Sequence, residues 1–306
     1  MAHLAANLPV ATAVPYGEAT APRLPSRNSS RSVASLPPPP PVTLSPALES
    51  SVGELLTANT WPEGLQEYYL RRLAAVAATY FIVDDSGSMS ISDATRFVKH
   101  GTKMVPASCS RYAELQDCIT FHAALANASK HPTTFRLLNN APPITVGGPR
   151  DDGTAYGRLM QALELSPGGS TPLCQHIREI VDELSAMAPA LRAEGRRATV
   201  VITTDGEASD GSLAEAMAPL KDLPVWLVLR LCTDEAQVVE YWDNIDRVLE
   251  LNIDVLDDLG SEAQSVREIN PWLNYSEPIH RIREVSRKCT TQPSSYLIPV
   301  RRAALS

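Results

Sequence analysis

Short runs of apolar and β-branched residues alternate along this chain with amphipathic segments, and that alternation limits the folds it can adopt. Continuous apolar runs of this length are typical of strands buried on both faces of a parallel sheet. The clearest runs are residues 78–83, 198–203 and 224–231. Residues 111–129 and 173–194, in contrast, repeat their apolar side chains at three- and four-residue steps, as amphipathic helices do. The pattern predicts an α/β fold: a doubly wound, mostly parallel central sheet with helices on both faces.

The first 50 residues differ in composition from the rest. They hold ten of the 25 prolines, including an unbroken run at 37–41. Such a segment buries too little apolar surface to offset its ordering entropy, so residues 1–50 are predicted to be a disordered arm. Arginines among its serines leave an organelle transit peptide as an alternative. We predict a helical lead-in at 51–75, a main domain at 76–258 and a C-terminal extension at 259–306, with ordered structure beginning near Trp61.

Charge is unevenly distributed along the chain. The net charge is −8 overall, but residues 51–278 carry 18 basic and 32 acidic side chains and therefore a net −14. An acidic domain repels phosphate backbones, which argues against nucleic acid as a partner. The basic residues of 279–306 could fold back onto the acidic domain, touch anionic lipid or remain solvated. No apolar run is long enough to cross a membrane, and five scattered cysteines without a C-x-x-C motif favour a reducing, cytoplasmic location.

Three loops carry the residues suited to chemistry. They read Asp84-x-Ser86-x-Ser88, Gly169-Ser170-Thr171-Pro172 and Thr204-Asp205-Gly206. In a parallel sheet the carboxyl ends of all strands lie at one edge, so Asp84 and Asp205 would meet there if their strands were neighbours. Carboxylate and hydroxyl oxygens without sulfur select Mg²⁺, or alternatively Mn²⁺ or Ca²⁺. The sequence therefore predicts a divalent-cation site.

The first of these loops, read as Asp84-Asp85-Ser86-Gly87-Ser88-Met89, resembles the D-x-S-G-S-M signature of von Willebrand factor type A (vWA) domains. The other two loops are similar to that family's second and third elements, in the same order. The resemblance covers residues 76–258 and implies a metal-ion-dependent adhesion site, whose cation captures an Asp or Glu of a partner protein. Intracellular members of the family act as assembly modules in multiprotein machines. The implied metal ligands are Asp84, Ser86, Ser88, Thr171 and Asp205.

One feature departs from the family pattern: residues 90–110 form an insert between the metal loop and the next helix. We expect this insert to lie near the rim of the site. Thr171 is expected to serve both as a ligand and as the N-cap of the following helix, whereas Asp85 is expected to point away from the metal. His122 and His176 are interpreted as core histidines, and Trp272 and Tyr275 as residues that pack the C-terminal extension onto the domain.

Two other functions remain open from the sequence. A strand that ends in Asp84-Asp85 also occurs in Mg²⁺-dependent phosphotransfer and phosphohydrolase enzymes. However, Ser86 stands where the D-x-D-x-T pattern of aspartyl phosphatases requires its second aspartate, and the three loops contain no His or Lys to act as a general base. We therefore expect a binding module rather than an enzyme. The second alternative is a scaffold that binds partners through its proline-rich arm.

Overall fold

The computed structural model describes residues 45–100, 103–233, 235–249 and 253–285. The predicted arm up to residue 44 and the end of the chain from residue 286 onward lie outside these ranges. Within them the helices are α1 (Pro46–Ala58), α2 (Glu63–Ala75), α3 (Arg111–Ser129), α4 (Ala155–Leu163), α5 (Leu173–Ala193), α6 (Leu213–Met217), α7 (Ala236–Leu249), α8 (Leu259–Ile269) and α9 (Glu277–Arg283). The strands are β1 (Val76–Val83), β2 (Ala94–His100), β3 (Lys103–Cys109), β4 (Thr133–Leu137), β5 (Ile144–Val146), β6 (Arg197–Thr204), β7 (Val225–Leu231) and β8 (Ile253–Leu256).

The central sheet has six strands in the order β5-β4-β1-β6-β7-β8. All neighbours pair in parallel except β5, which runs antiparallel to β4. Every residue of β1 is buried, as a strand covered on both faces requires. One face packs against α5, α6 and α7, and the other packs against α3 and α4. The predicted fold class, an α/β sheet covered by helices on both faces, is confirmed.

The strand order reverses beside β1. From β1 the chain moves to β4 and β5 on one side, and it then returns to β6 on the other side of β1. The register pairs Val83 at the end of β1 with Thr203 near the end of β6. Crevices of this kind, at the carboxyl ends of strands where the order reverses, are the usual ligand sites of open α/β sheets.

Ordered structure begins earlier than the sequence predicted. Helix α1 starts at Pro46, after Ser45 accepts a hydrogen bond from the amide of Leu48. Proline at the first helical position costs no hydrogen bond, so Ser45-Pro46 is a favourable start. Val52 and Leu56 are completely buried against α2 and α3. The start near Trp61 is therefore wrong, because α1 has an apolar face that needs a partner.

We predict that Leu56→Ala lowers the free energy of unfolding by about 2–5 kcal/mol, since it leaves a cavity in a packed cluster. Glu54→Ala, at an exposed position of the same helix, is the control and should change stability by less than about 0.5 kcal/mol. Urea unfolding of both variants tests this. Equal stability of Leu56→Ala and the wild type would show that α1 is not part of the folded domain.

The C-terminal extension packs onto the domain. Arg281 and Arg283 are buried and form ion pairs with Glu284 and Glu262, respectively. Arg281 and Arg283 therefore fold back onto the domain, which was one of the alternatives for the basic C-terminal residues. Tyr275 is buried as predicted, but Trp272 is exposed, so the prediction that both aromatic residues pack was wrong for Trp272.

Helix α2 ends at Ala75, because Val76 and Ala77 are buried as the first residues of β1. The insert at 90–110 contains a separate antiparallel hairpin, β2 and β3. Within the described part of the chain, no helix combines the length and the apolar character needed to cross a bilayer.

Candidate metal centre

The first and third predicted loops meet at the carboxyl ends of β1 and β6. These strands are direct neighbours, and the amide of Asp84 donates to the carbonyl of Thr203 at 3.0 Å. Asp205 follows the last residue of β6 and is buried, as is Asp84. β1 and β6 are therefore neighbours, as is required for Asp84 and Asp205 to meet.

Four of the five predicted ligands form one hydrogen-bonded group, which we call the oxygen cluster: Asp84, Ser86, Ser88 and Asp205. The amide of Ser86 donates to Asp84 Oδ1 at 2.9 Å. The hydroxyls of Ser86 and Ser88 are 3.1 Å apart, and the Ser88 hydroxyl donates to Asp205 Oδ1 at 2.8 Å. Asp84, Ser86 and Asp205 are buried, while Ser88 is exposed, so the oxygen cluster opens to solvent at Ser88.

This spacing fits a small hard cation. Mg²⁺ binds six oxygens at about 2.0–2.1 Å in an octahedron, which places adjacent oxygens about 3 Å apart. The Ser86–Ser88 and Ser88–Asp205 oxygen distances, 3.1 and 2.8 Å, match that separation. Burial raises the pKa of the Asp84 carboxyl above its ordinary value of 3.8, despite hydrogen bonds from Ser86 and Thr204 that favour its charged form. A cation beside it would offset that desolvation cost.

Thr171 lies in a loop that is hydrogen-bonded to both other loops. Gly168 donates to the carbonyl of Asp85 at 2.7 Å, and Gly87 donates to the carbonyl of Gly169 at 3.2 Å. The amide of Thr171 donates to the Ser209 hydroxyl at 3.0 Å, beyond Asp205 in the third loop. Among the described residues, the Thr171 hydroxyl makes no hydrogen bond, so it remains available as a ligand.

The N-cap role predicted for Thr171 is wrong. The cap position of α5 is Pro172, which has no side-chain oxygen to accept a hydrogen bond. Asp210 instead accepts from the first amides of the helix, those of Cys174 at 2.9 Å and Gln175 at 2.8 Å. The Asp210 carboxylate, from the loop after β6, thus accepts the hydrogen bonds of amides that have no partner within the first turn of α5.

Close packing requires a glycine at position 169, two residues before Thr171. Gly169 has φ +90°, and a Cβ there would lie 2.5 Å from Asn139 Oδ1. Asn139 in turn donates to Asp85, as its amide and side chain both bond Asp85 Oδ1. Asp85 therefore points toward the 139–140 loop, as expected, and fixes that loop beneath the site.

Arg111 is a site residue that sequence reasoning missed. It is buried at the start of α3, and its Nη1 donates to Asp205 Oδ2 at 3.0 Å. The same guanidinium bonds both oxygens of Asp93, at 2.9 and 2.5 Å, and Glu235 at 2.6 Å. The hydrogen bond from Arg111 lowers the pKa of Asp93. Arg111 donates only to Oδ2 of Asp205, so Oδ1 of Asp205 stays hydrogen-bonded to Ser88 within the oxygen cluster.

A second group of ligand-type side chains lies between α3 and the residues after α9. Cys118, His122 and Glu284 are buried, and their ligand atoms lie within 4.8 Å of one another. Two guanidiniums, Arg230 and Arg281, already contact Glu284, and Arg230 also pairs with Glu114. The two guanidiniums are balanced by the buried Glu114 and Glu284, with the half-exposed Glu277 as a further partner of Arg281, so this group is an ion-pair network without need of a metal. His122 is a core histidine, as predicted, and so is His176, which contacts the carbonyl of Leu138 at 3.3 Å.

Comparison with solved structures gives a remote similarity. No family model matches the chain, and no curated protein is similar to it. Among solved structures, the chain is similar to the VWA domain of SpRpn10, with 14% sequence identity and a TM-score of 0.36. The match covers 59% of this chain and 86% of that chain. We therefore derive the function from the residues of the site itself.

Proposed function

We propose that the chain is a protein-binding module whose bound divalent cation captures an Asp or Glu side chain of a partner protein. Asp84, Ser86, Ser88 and Asp205 would hold the cation, and Thr171 would complete the protein's ligand set. The observation that carries this proposal is the oxygen cluster, which lies where the strand order reverses and opens to solvent at Ser88.

The donor set suits capture of a carboxylate. Asp84 and Asp205 balance the two charges of the cation, while the serine and threonine hydroxyls add no charge. A cation held in this way supplies an electrophilic centre with room for one further oxygen ligand. An all-oxygen set favours Mg²⁺, with Mn²⁺ and Ca²⁺ as alternatives. The oxygen cluster orients its own ligand oxygens, because each of its four residues is hydrogen-bonded to a neighbour.

The proposal is for binding rather than catalysis. The three loops contain no His or Lys, and the one basic side chain in contact with the oxygen cluster among the described residues is Arg111. Arg111 is bonded to three carboxylates and keeps its proton, so it cannot serve as a general base. We also place the module in the cytoplasm, since the four described cysteines are free thiols.

A pull-down with the immobilised full chain tests this function, run in Mg²⁺ and in excess chelator, with the captured proteins identified. Proteins released by chelator and recaptured after Mg²⁺ is restored support the proposal. Asp205→Asn should lose them, whereas the exposed control Asp182→Asn on α5 should retain them. A captured set that is insensitive to chelator and to Asp205→Asn would overturn it.

Thr171→Ala is predicted to separate metal binding from partner binding. The hydroxyl makes no hydrogen bond to the described residues and does not cap α5, so stability should change by less than about 0.5 kcal/mol. Loss of one neutral ligand should leave measurable Mg²⁺ affinity but remove most partner capture. Thr171→Ser, which restores the hydroxyl, should rescue capture in the same pull-down. Full capture by Thr171→Ala would show that the cation has a structural role only.

A further inference from the structure

Arg111 stands at a position where helix stability does not favour a basic residue. It is the first residue of α3, and a positive charge there opposes the helix dipole. Its amide donates to the carbonyl of Ile91 at 2.9 Å, and the Ser110 hydroxyl caps the helix by accepting from the amide of Ala113 at 3.1 Å. The backbone of Arg111 is therefore fixed, and its guanidinium is stabilised by its carboxylate partners rather than by the helix.

The Arg111 guanidinium is held by all three of these carboxylates at once. Nε and Nη2 donate to the two oxygens of Asp93, Nη2 also donates to Glu235, and Nη1 donates to Asp205 Oδ2, so four of its five N–H donors are used. The side chain is 2% exposed and its charge is permanent. Moving it away from Asp205 would leave a buried charge without one of its partners. Arg111 therefore keeps Oδ2 of Asp205 occupied.

Asp205 consequently offers a single oxygen to a cation. Its side chain is 0% exposed, so solvent does not reach Oδ2 to replace Arg111. Its other oxygen, Oδ1, accepts from the Ser88 hydroxyl inside the oxygen cluster. A carboxylate binds an ion in bidentate fashion only when both of its oxygens are directed at that ion. The contact with Arg111 thus restricts Asp205 to monodentate binding.

Asp84 is restricted in a similar way. Its Oδ2 accepts from the Thr204 hydroxyl at 2.6 Å, and its Oδ1 accepts from the amide of Ser86 at 2.9 Å. Each proposed ligand of the chain would therefore supply one oxygen, and a partner carboxylate would complete an octahedron. Mg²⁺ requires this geometry, whereas Ca²⁺ takes six to eight oxygens and commonly two from one carboxylate. The site has too few oxygens to satisfy Ca²⁺ fully.

We propose that Arg111 is a positioning residue that determines the ion specificity of the site: by occupying Asp205 Oδ2, it makes the site select Mg²⁺ over Ca²⁺. This inference rests on the proposed function and adds a residue that selects the ion. Arg111 would contact neither the cation nor the partner, so it acts through Asp205. Mg²⁺ needs only the one oxygen that Asp205 offers, whereas Ca²⁺ is denied a second one.

This selection can be separated from the general effect of the Arg111 charge. The guanidinium repels any cation at the oxygen cluster, so its removal should strengthen the binding of Mg²⁺ and of Ca²⁺ alike. The two ions carry the same charge. The dissociation constant for Ca²⁺ divided by that for Mg²⁺, which we call the selectivity ratio, therefore cancels the shared effect and measures the coordination that Asp205 permits.

Isothermal titrations of the full chain with Mg²⁺ and with Ca²⁺ give the selectivity ratio. The wild type should bind Mg²⁺ at least as tightly as Ca²⁺. Arg111→Met, which fills a similar space without any donor, should lower the ratio by about ten-fold or more, because both oxygens of Asp205 become available to Ca²⁺. The matched control is Glu235→Gln, which removes one charge at the same guanidinium but leaves Arg111 bonded to Asp205. It should keep the wild-type ratio.

The wild type tests the inference even if Arg111→Met does not fold. In crystals of the full chain grown in saturating Ca²⁺, Asp205 should remain monodentate, with Oδ2 still bonded to Arg111. A Ca²⁺ ion bound by both oxygens of Asp205 would overturn the inference, as would a wild type that binds Ca²⁺ more tightly than Mg²⁺.

The titrations distinguish this inference from the proposed function. If neither ion binds to the wild type, the proposed cation site is overturned, and the role of Arg111 with it. If both ions bind but Arg111→Met keeps the wild-type ratio, or Glu235→Gln lowers the ratio by as much, the role of Arg111 is overturned and the cation site stands. A ratio that falls in Arg111→Met alone supports both.

Discussion

Glu284→Gln is expected to lower the free energy of unfolding by about 3–5 kcal/mol, because it removes one carboxylate from a buried ion-pair network. Glu284 is completely buried. Its Oε1 accepts hydrogen bonds from Arg281 at 2.9 Å and from Arg230 at 3.2 Å. Its Oε2 accepts from Arg281 at 3.1 Å and lies 2.8 Å from His122 Nε2. Glutamine keeps the shape but leaves the two guanidiniums without their shared negative charge. Equilibrium urea unfolding at pH 7 measures the effect.

Glu277→Gln is the matched control. Glu277 also pairs with Arg281, at 3.3 Å, but its side chain is 45% exposed, so its loss should cost less than about 1 kcal/mol. A change below about 1 kcal/mol in Glu284→Gln as well would contradict the network's structural role.

The loss of stability in Glu284→Gln should also depend on pH, which provides a second test. Burial alone would raise the pKa of Glu284, but Arg281 and the hydrogen bond from His122 hold it well below 4.5. A carboxylate with a lowered folded-state pKa contributes stability that is fully present above its unfolded pKa and is lost as the pH falls through the folded one. The difference in unfolding free energy between the wild type and Glu284→Gln should therefore be constant above about pH 5 and decrease steadily below pH 4.5.

Asp205→Asn is expected to weaken Mg²⁺ binding by about 100-fold or more, since it removes half of the negative charge proposed to balance the cation. Asparagine keeps the size of the side chain: its one carbonyl oxygen can accept from Arg111, and its NH₂ group can donate to the Ser88 hydroxyl, so the fold should persist. Asp93→Asn is the control, because Asp93 bonds the same Arg111 but lies outside the oxygen cluster. Isothermal titration with Mg²⁺ should give near-wild-type affinity for Asp93→Asn. Equal affinities in both variants would remove Asp205 from the metal site.

The central strands and the loops at their carboxyl ends were predictable, because the sequence patterns that mark them are local and periodic. Continuous apolar runs identified β1, β6 and β7, and each polar loop that follows β1 or β6 begins where its run ends. Once β1 and β6 are neighbours, parallel register alone brings Asp84 and Asp205 together. The meeting of these loops therefore required no knowledge of side-chain contacts.

The features that sequence reasoning missed depend on distant partners. Arg111 is 94 residues from Asp205, and Glu284 is 162 residues from His122, so no window of sequence connects either pair. The start of helix α1 was missed because it lies within the proline-rich first 50 residues, and its packing partners come from α2 and α3. The N-cap of α5 was misassigned for the same reason: Asp210 reaches it from another loop, while Ser-Thr-Pro satisfies the local rule.

The measurement that tests the metal site most directly is anomalous diffraction from crystals of the full chain grown with Mn²⁺, which takes the same ligands as Mg²⁺. We predict one strong peak among the oxygens of Asp84, Ser86, Ser88 and Asp205, within bonding distance of the two serine hydroxyls. A peak at Asp93 or Glu235 instead, or an oxygen cluster that stays hydrogen-bonded to itself in saturating Mn²⁺, would contradict it.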